Sequence, residues 1–325
     1  MNLELLHDFY KKNNLSENDY FEAKSQISSL NEVATKDIDT IDVLTLDKLI
    51  VYLVQEEKNT VQSFVVMMRY FRVIDRKDLF IHLTKYTGML GVIDNIIDRL
   101  EKLHGKEFAK QILGNYQAPY LGVSPYELPN YAKNLVELLE KNLKKEEVNK
   151  VLAGNNHGIP EKSLLPEKIE YENSKSLEEY LKGRHDRKIL ELEKHLKENT
   201  VWFEQIITKE VIDFVKSNQE VLSAKLVGDK LYVTKIPYDT LSYLNEIDKT
   251  RKRYFACHCP FAREAIKAGR PDLSKRFCYC SAGFAKYPFE VILGQNLDVS
   301  VIDTVLGENH LCQFVIDLKN VDFKR

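Results

Sequence analysis

All five cysteines of this 325-residue chain fall after residue 256. Four form two Cys-X-Cys pairs, Cys257-His258-Cys259 and Cys278-Tyr279-Cys280, with 18 residues between the pairs, and the fifth is Cys312. Zinc is borderline soft and takes four ligands tetrahedrally, so four sulfurs from two short segments can close one site. The usual knuckle is Cys-X-X-Cys. An extended Cys-X-Cys sends both side chains the same way only because a strand has a period of two. One cysteine from each pair, with Cys312 or His258, is an equally open ligand set. Two further chemistries fit the same residues: a reactive thiol or redox pair, and plain burial of thiols as small apolar groups. An odd number of cysteines gathered at one end is not a secreted disulfide framework, which points to reduced thiols.

Charge around the first two pairs is one-sided. Arg251, Lys252, Arg253, Arg263, Lys267, Arg270, Lys275 and Arg276 are opposed within that stretch only by Glu264 and Asp272. Positive charge favours thiolate over thiol and can hold a carboxylate or phosphate, although a solvated basic face accounts for most of these residues. Arg263 is the exception. It follows Cys-Pro-Phe-Ala in the first turn of a helix opened by Pro260, where backbone donors and a guanidinium can converge on one anion. His157, in Asn155-Asn156-His157-Gly158, is a candidate ligand or general base from another part of the chain; local hydrogen bonding in the loop is the competing reading. His258 and Tyr254 are further ligand-binding candidates. Trp202, Phe203, Tyr232, Tyr238 and Tyr254 could line an apolar pocket or simply pack a core.

The elements that must position these groups change character along the chain. Leu46, Leu49, Ile50, Leu53 and Val54 recur at three-and-four spacing and predict a helix, with Asn59 and Thr60 as a cap before a second one over 61–71. Val92, Ile93, Ile96, Ile97 and Leu100 repeat the pattern, stopped by Gly105. Pro119, Gly122, Pro125 and Pro129 predict a structured elbow, with a helix resuming over 131–143. Residues 153–160 are the next strong break. The charged, proline-punctuated 161–176 predicts a connection, and 182–199 a charged helix with Ile189, Leu190, Leu192 and Leu196 as its buried stripe. Beyond 218 the segments 224–227 and 230–234 flank Gly228-Asp229, the signature of a tight hairpin. A second hairpin is expected from 297–306 and 311–318. Helices are expected over 238–251, 261–268 and 283–293. The fold class expected is α+β: a helical domain over 1–160, a connection and charged helix over 161–200, and a cysteine-rich α/β domain over 201–325 with helices on one face of a mainly antiparallel sheet.

The ending of the chain, Cys280-Ser-Ala-Gly-Phe284, the helix to Gly294, the strand 297–306 and Gly307-Glu-Asn-His-Leu-Cys312-Gln-Phe314-Val-Ile316, resembles the end of the 4-vinyl reductase domain. The resemblance covers about 40 to 70 residues. It implies an α/β module that binds aromatic ligands, with a zinc held by Cys and Glu near the pocket, and it puts Cys312 on the last zinc-ligand cysteine. The other ligands would fall near Ser300 and Asp303 or Thr304, where this chain has no cysteine, so Cys257, Cys259, Cys278 or Cys280 would have to replace them. The same ending resembles the L-2-amino-thiazoline-4-carboxylic acid hydrolase family. The full set CHCPFAR, CYCSAGF and GENHLCQF is similar to bacterial proteins with a helical N-terminal half, for which the resemblance implies a fold and no activity.

Composition bounds the function. With 44% hydrophobic and 30% charged residues the chain can bury one large core or two smaller ones. A net charge of -2 supplies no global field toward nucleic acid or an anionic membrane. In the helical half, acids interleave with Arg69, Arg72, Arg76 and Lys77, leaving no stripe for phosphates. The N-terminus lacks a basic start followed by an apolar core, and no run of about 18 apolar residues occurs, so a cytoplasmic protein is expected. The expected function is a small-molecule-binding protein with a thiolate-bound metal, zinc by its chemistry, for an anionic or aromatic ligand. The alternative is a cysteine-dependent hydrolase or redox enzyme. A homodimer is the oligomer the sequence leaves open.

Overall fold

The computed structural model describes residues 1–269 and 272–325; Arg270, counted above among the basic residues, lies outside them. The fold is α+β, dominated by helices, with a small antiparallel sheet in the C-terminal region. The chain forms two compact units, 1–90 with 119–125, and 91–118 with 126–325.

In the first unit the helices Leu3–Lys12, Glu17–Ala34, Val43–Gln55 and Val61–Val73 each start on a polar side chain that caps them, and Lys77–Thr87 follows without such a cap. Ser16 and Asp19 form a reciprocal capping box, and Asp42 and Thr60 accept from the amides of Thr45 and Ser63. The expected stripe Leu46, Leu49, Ile50 and Leu53 is buried, beside Phe64, Met67, Tyr70 and Phe71. The elbow is structured: Asn59 Nδ2 donates to the Leu121 carbonyl at 2.7 Å.

The second unit opens with Val92–His104, whose buried Val92, Ile93, Ile96 and Leu100 follow the expected face, and continues with Lys106–Leu113, Leu128–Asn142 and Lys145–Leu152. Residues 161–176, read as a connection, carry a short 3-10 turn and the helix Leu165–Asn173, followed directly by the helix Leu177–Glu198. They are stitched inside this unit. Glu167 accepts from the Tyr180 hydroxyl at 2.7 Å and from Arg187 at 2.9 Å, and the Leu177 amide donates to the Lys324 carbonyl at 2.8 Å. The stripe of Leu177–Glu198 differs from the expected one. Leu177, Tyr180, Leu181, His185 and Leu192 are buried, whereas Leu190 and Leu196 are exposed. On that inward face His185 also bonds the Val215 carbonyl at 3.0 Å, a contact its local hydrophobicity does not announce.

The sheet runs Lys225–Val227, Lys230–Thr234, Gln313–Asp317, Asp298–Asp303 in spatial order, every neighbour antiparallel. Both expected hairpin pairings form, the first around Gly228 at a φ of 60°. Alternation buries Leu231, Val233, Phe314 and Ile316, and Phe289 and Ile292 of the helix Tyr279–Leu293 share one core with Leu231, Val233 and Ile316. The expected helix over 238–251 is two helices, Thr240–Asn245 and Lys249–Ala256, and Pro260–Lys267 matches the next.

Candidate functional site

All five cysteines converge at one end of this sheet, and all are free thiols. The sheet supplies the first pair of groups. Past Thr234 the ladder continues for one bond, the Lys235 amide donating to the Cys312 carbonyl at 2.9 Å, which sets Lys235 beside Cys312. Cys257 closes the helix Lys249–Ala256, and Cys259 precedes Pro260, so the intervening residue sits in a sharp extended link between two helices. Cys278 ends the 3-10 turn Lys275–Cys278 and Cys280 lies in the first turn of Tyr279–Leu293. Phe261 and Phe277, each next to a cysteine segment, meet edge to face at 5.4 Å and hold the two segments together.

The loop carrying His157 reaches the same place because two glycines let backbones touch. A Cβ at Gly283 would lie 2.4 Å from the Gly154 carbonyl oxygen, so the helix bearing Cys280 packs directly on the Ala153-Gly154 backbone. Buried Asn156 is held by its own bond to the Leu152 carbonyl and by Asn95, whose Nδ2 donates to the Asn156 carbonyl at 2.9 Å. His157 Nε2 then stands 4.0 Å from Cys280 Sγ, with its ring edge-on to Phe284.

Electrostatically the centre keeps its thiols neutral. Burial, reinforced by the neighbouring Cys312, pushes Cys257 up to about 12 despite Arg263 and Lys235. Burial also raises Cys259 and Cys278 well above the usual thiol range, each pressed further by neighbouring cysteines, and raises Cys280 and Cys312. Asn156 opposes the rise at Cys280, and the Thr304 side chain opposes it at Cys278. His258 is held well below the usual imidazole range by burial and by Lys235, and its Nε2 bonds the Ile236 carbonyl at 2.7 Å. Burial and Lys235 lower His157 to about 4. Glu204, in the turn between the short paired strands Val201–Trp202 and Gln205–Ile206, is raised by burial while Lys235 and Arg263 pull against it.

The centre is enclosed but not sealed. Burial is the leading cause of the shifts at His258 and Glu204, yet their side chains keep 21% and 28% of their surface accessible. Cys259, Cys278 and Cys312 likewise keep part of theirs. Groups surrounded by protein and still touched by accessible space line a recess, and His157, exposed yet crowded, stands at its rim.

The expected basic face resolves into local contacts. Arg276 pairs with Glu140 at 2.6 Å, Arg251 with Glu246 at 2.8 Å, Arg253 bonds the Val305 carbonyl, and Lys252 lies over Tyr243. Lys267 is exposed. Arg263 is buried, flanked by Tyr238 and Tyr254. Of the aromatic candidates, Trp202 packs in a core with Val211 and Ile212 and bonds Glu191, and Phe203 faces solvent. Ser300 and Asp303 sit on the edge strand; Thr304 is buried at Cys278.

Lys235, Glu204 and Asn156 were not expected here. The Asn-Asn-His-Gly loop and the Gly of Cys-Ser-Ala-Gly carried a signal for Asn156. Lys235, which ends an ordinary strand, carried none. Five sulfurs and two neutral imidazoles are a donor set suited to zinc, but among the described residues no three Cys, His, Asp or Glu groups stand in the arrangement of a metal site. Holding one ion therefore requires the thiol side chains to turn toward one another. Among the described residues no helix is long and apolar enough to cross a membrane. Comparison of the chain with protein-family models, with curated proteins and with solved structures gives no match.

Proposed function

We propose that the second unit binds a small molecule in the thiol-lined recess, beside a metal held by thiolates, with zinc as the metal. One observation carries this reading: all five cysteines of the chain, drawn from three separate segments, meet at one enclosed but partly accessible centre with His157 and His258. Cys257, Cys259, Cys278, Cys280 and Cys312 are the residues that would hold the ion, which would supply the charge that keeps thiolates ionised in so enclosed a place. The resemblance of the ending to the 4-vinyl reductase domain supports the same reading. Reduced thiols in this number suit a reducing compartment such as the cytoplasm. Elemental analysis of purified protein tests it: about one zinc per chain is expected, falling when Cys278 and Cys312 are changed to Ser. Metal-free protein that cannot be loaded sinks it.

A second reading rests on a different contact. Cys280 stands at the start of a 15-residue helix with His157 Nε2 4.0 Å from its sulfur and Asn156 bonded to it. That is the arrangement of a nucleophile with its base, as a cysteine-dependent hydrolase or redox enzyme requires. Mapped alkylation distinguishes the two. Rapid modification confined to Cys280 in metal-free protein favours this reading, and slow modification of every thiol favours the first.

A further inference from the structure

We infer that Arg263 anchors a site for a small planar carboxylate. The inference rests on the reading above only in taking the recess as a place where a small molecule binds.

Arg263 keeps 7% of its surface. A guanidinium has five N–H donors in a rigid fork, and here none finds an acceptor among the described residues. Nε is fully enclosed without a partner. The two terminal nitrogens make no hydrogen bond either, and they are not enclosed, so they open onto accessible space. The rings of Tyr238 and Tyr254 lie 3.6 Å and 4.6 Å from the guanidinium carbon. These cation–π contacts steady the charge through its faces and leave its hydrogen-bonding edge free. An edge of unfilled donors drawn into a protein is costly unless something else fills it.

The nearby acids do not. No carboxylate of the described residues pairs with Arg263 within 4.0 Å. Glu204 feels its field, but the ion-pair contact Glu204 makes is with His258 at 4.0 Å. Glu264, one place along the helix and so turned aside, meets the Tyr254 hydroxyl at 3.4 Å, and its other oxygen is enclosed. A second cation stands on the same side. Lys235 Nζ has the Ser281 hydroxyl at 3.0 Å and the face of Phe284, and it acts with Arg263 on the same three groups, Cys257, His258 and Glu204. Two cations around one recess, with Glu264 turned to Tyr254 and burial opposing the ionisation of Glu204, call for one more negative charge.

The shape of the donor set selects which anion. Two parallel N–H bonds from a guanidinium match the two oxygens of a carboxylate lying in the same plane. The Tyr238 and Tyr254 rings beside that fork offer flat apolar surface to a body attached to the carboxylate, which a bare tetrahedral anion cannot use. The ligand class is therefore a monocarboxylate carried on a flat, unsaturated or aromatic body.

Calorimetric titration with benzoate, benzamide and sulfate tests this, on protein whose metal content is measured before and after chelation. Benzoate is expected to bind at least about tenfold more tightly than the other two, and Arg263→Lys, which keeps the charge and loses the fork, to weaken it by about tenfold or more. In the unmodified protein the Arg263 Nε–H resonance is expected to shift on benzoate addition, which decides the matter even if the variant folds poorly. Benzamide or sulfate binding as well as benzoate, an Nε–H signal that does not move, or no benzoate binding at all overturns the site. Metal present without benzoate binding removes only this inference; benzoate binding to protein that never holds metal removes only the metal.

Discussion

Arg76 in the first unit and Arg263 in the second are both drawn in from a helix end, and they differ in what meets them there. Arg76 donates to the carbonyls of Asp39 and Ile41 at 2.8 and 2.6 Å and forks onto Asp78. Its neighbours are treated alike: Tyr70 bonds Asp39, Arg69 bonds the Tyr10 hydroxyl, and Asp47 accepts from His82 and Tyr86. Arg263 is offered two aromatic faces and no acceptor, while around it five thiols stay neutral and Lys235 has only a hydroxyl. Native proteins pair their buried polar groups, so a cluster left unpaired is where a partner from outside the chain belongs. The first unit is finished by its own residues, and the sulfur centre is not.

The largest expected effects test whether the two regions are equally well packed. Phe64 and Phe277 are each 1% exposed, and truncating either to Ala should cost about 3–5 kcal/mol in chemical denaturation. Only Phe277→Ala should also speed thiol alkylation, because it removes the contact that holds the two cysteine segments together. Equal thiol reactivity in both variants would mean that Phe277 does not shape the centre. A smaller effect is expected at Gly283. Its added methyl meets backbone, 2.4 Å from the Gly154 carbonyl, and cannot be absorbed by a side-chain rotation, so Gly283→Ala should cost about 1–3 kcal/mol. It should also change the His157 imidazole signals in NMR. A variant as stable as the parent would show that the loop approaches less closely.

The parts of this arrangement that were legible in the sequence are those that local periodicity writes. The caps at Thr60 and Gly105, the stripe Leu46 to Leu53 and the hairpin at Gly228 follow from one face of a helix or one turn. The gathering of Cys257, Cys259, Cys278 and Cys280 was suggested by clustering, although nothing local revealed that Cys312 meets them across the end of the sheet. Residues 161–176 read as a connection because their charges and proline hide the pairing that fixes them, Tyr180 and Arg187 onto Glu167. Leu190 faces outward for a similar reason: the inward side is set by tertiary packing of Leu177, Tyr180, Leu181 and Leu192, with His185 reaching Val215 30 residues away. Lys235 and Glu204 are ordinary residues made special only by where the chain returns.

A pH series on metal-free protein probes the neutral thiols. Cys257 is raised from 9.0 to about 12 by burial, so above pH 9 the unfolded chain releases its proton while the folded chain keeps it. Stability is therefore intact below 9 and falls as pH rises toward 12. His157 is lowered from 6.5 to about 4, so between those values the unfolded chain binds the extra proton and stability falls as the solution is acidified. The acid limb should be the shallower, since His157 keeps exposed surface that screens it. Denaturation midpoints flat from neutral pH to about 11 would show that the thiols are not enclosed as described.

The smallest effect on stability is expected at the residue most important for binding. Replacing Arg76 by Met strips charged donors from two carbonyls and Asp78, a loss of about 1.5–3 kcal/mol. Replacing Arg263 by Met removes no hydrogen bond. It exchanges an unpaired buried charge for an apolar chain of similar length, still able to lie between Tyr238 and Tyr254, and such exchanges are often neutral or stabilising. The lost cation–π contacts, about 0.5–2 kcal/mol, work against the relief of desolvation, so the net change should stay within about 1 kcal/mol of zero. Benzoate binding should disappear in the same variant. If Arg263→Met instead destabilises the protein as much as Arg76→Met does, the guanidinium is a structural part of the second unit, and the contrast between a completed region and an incomplete one no longer holds at this position.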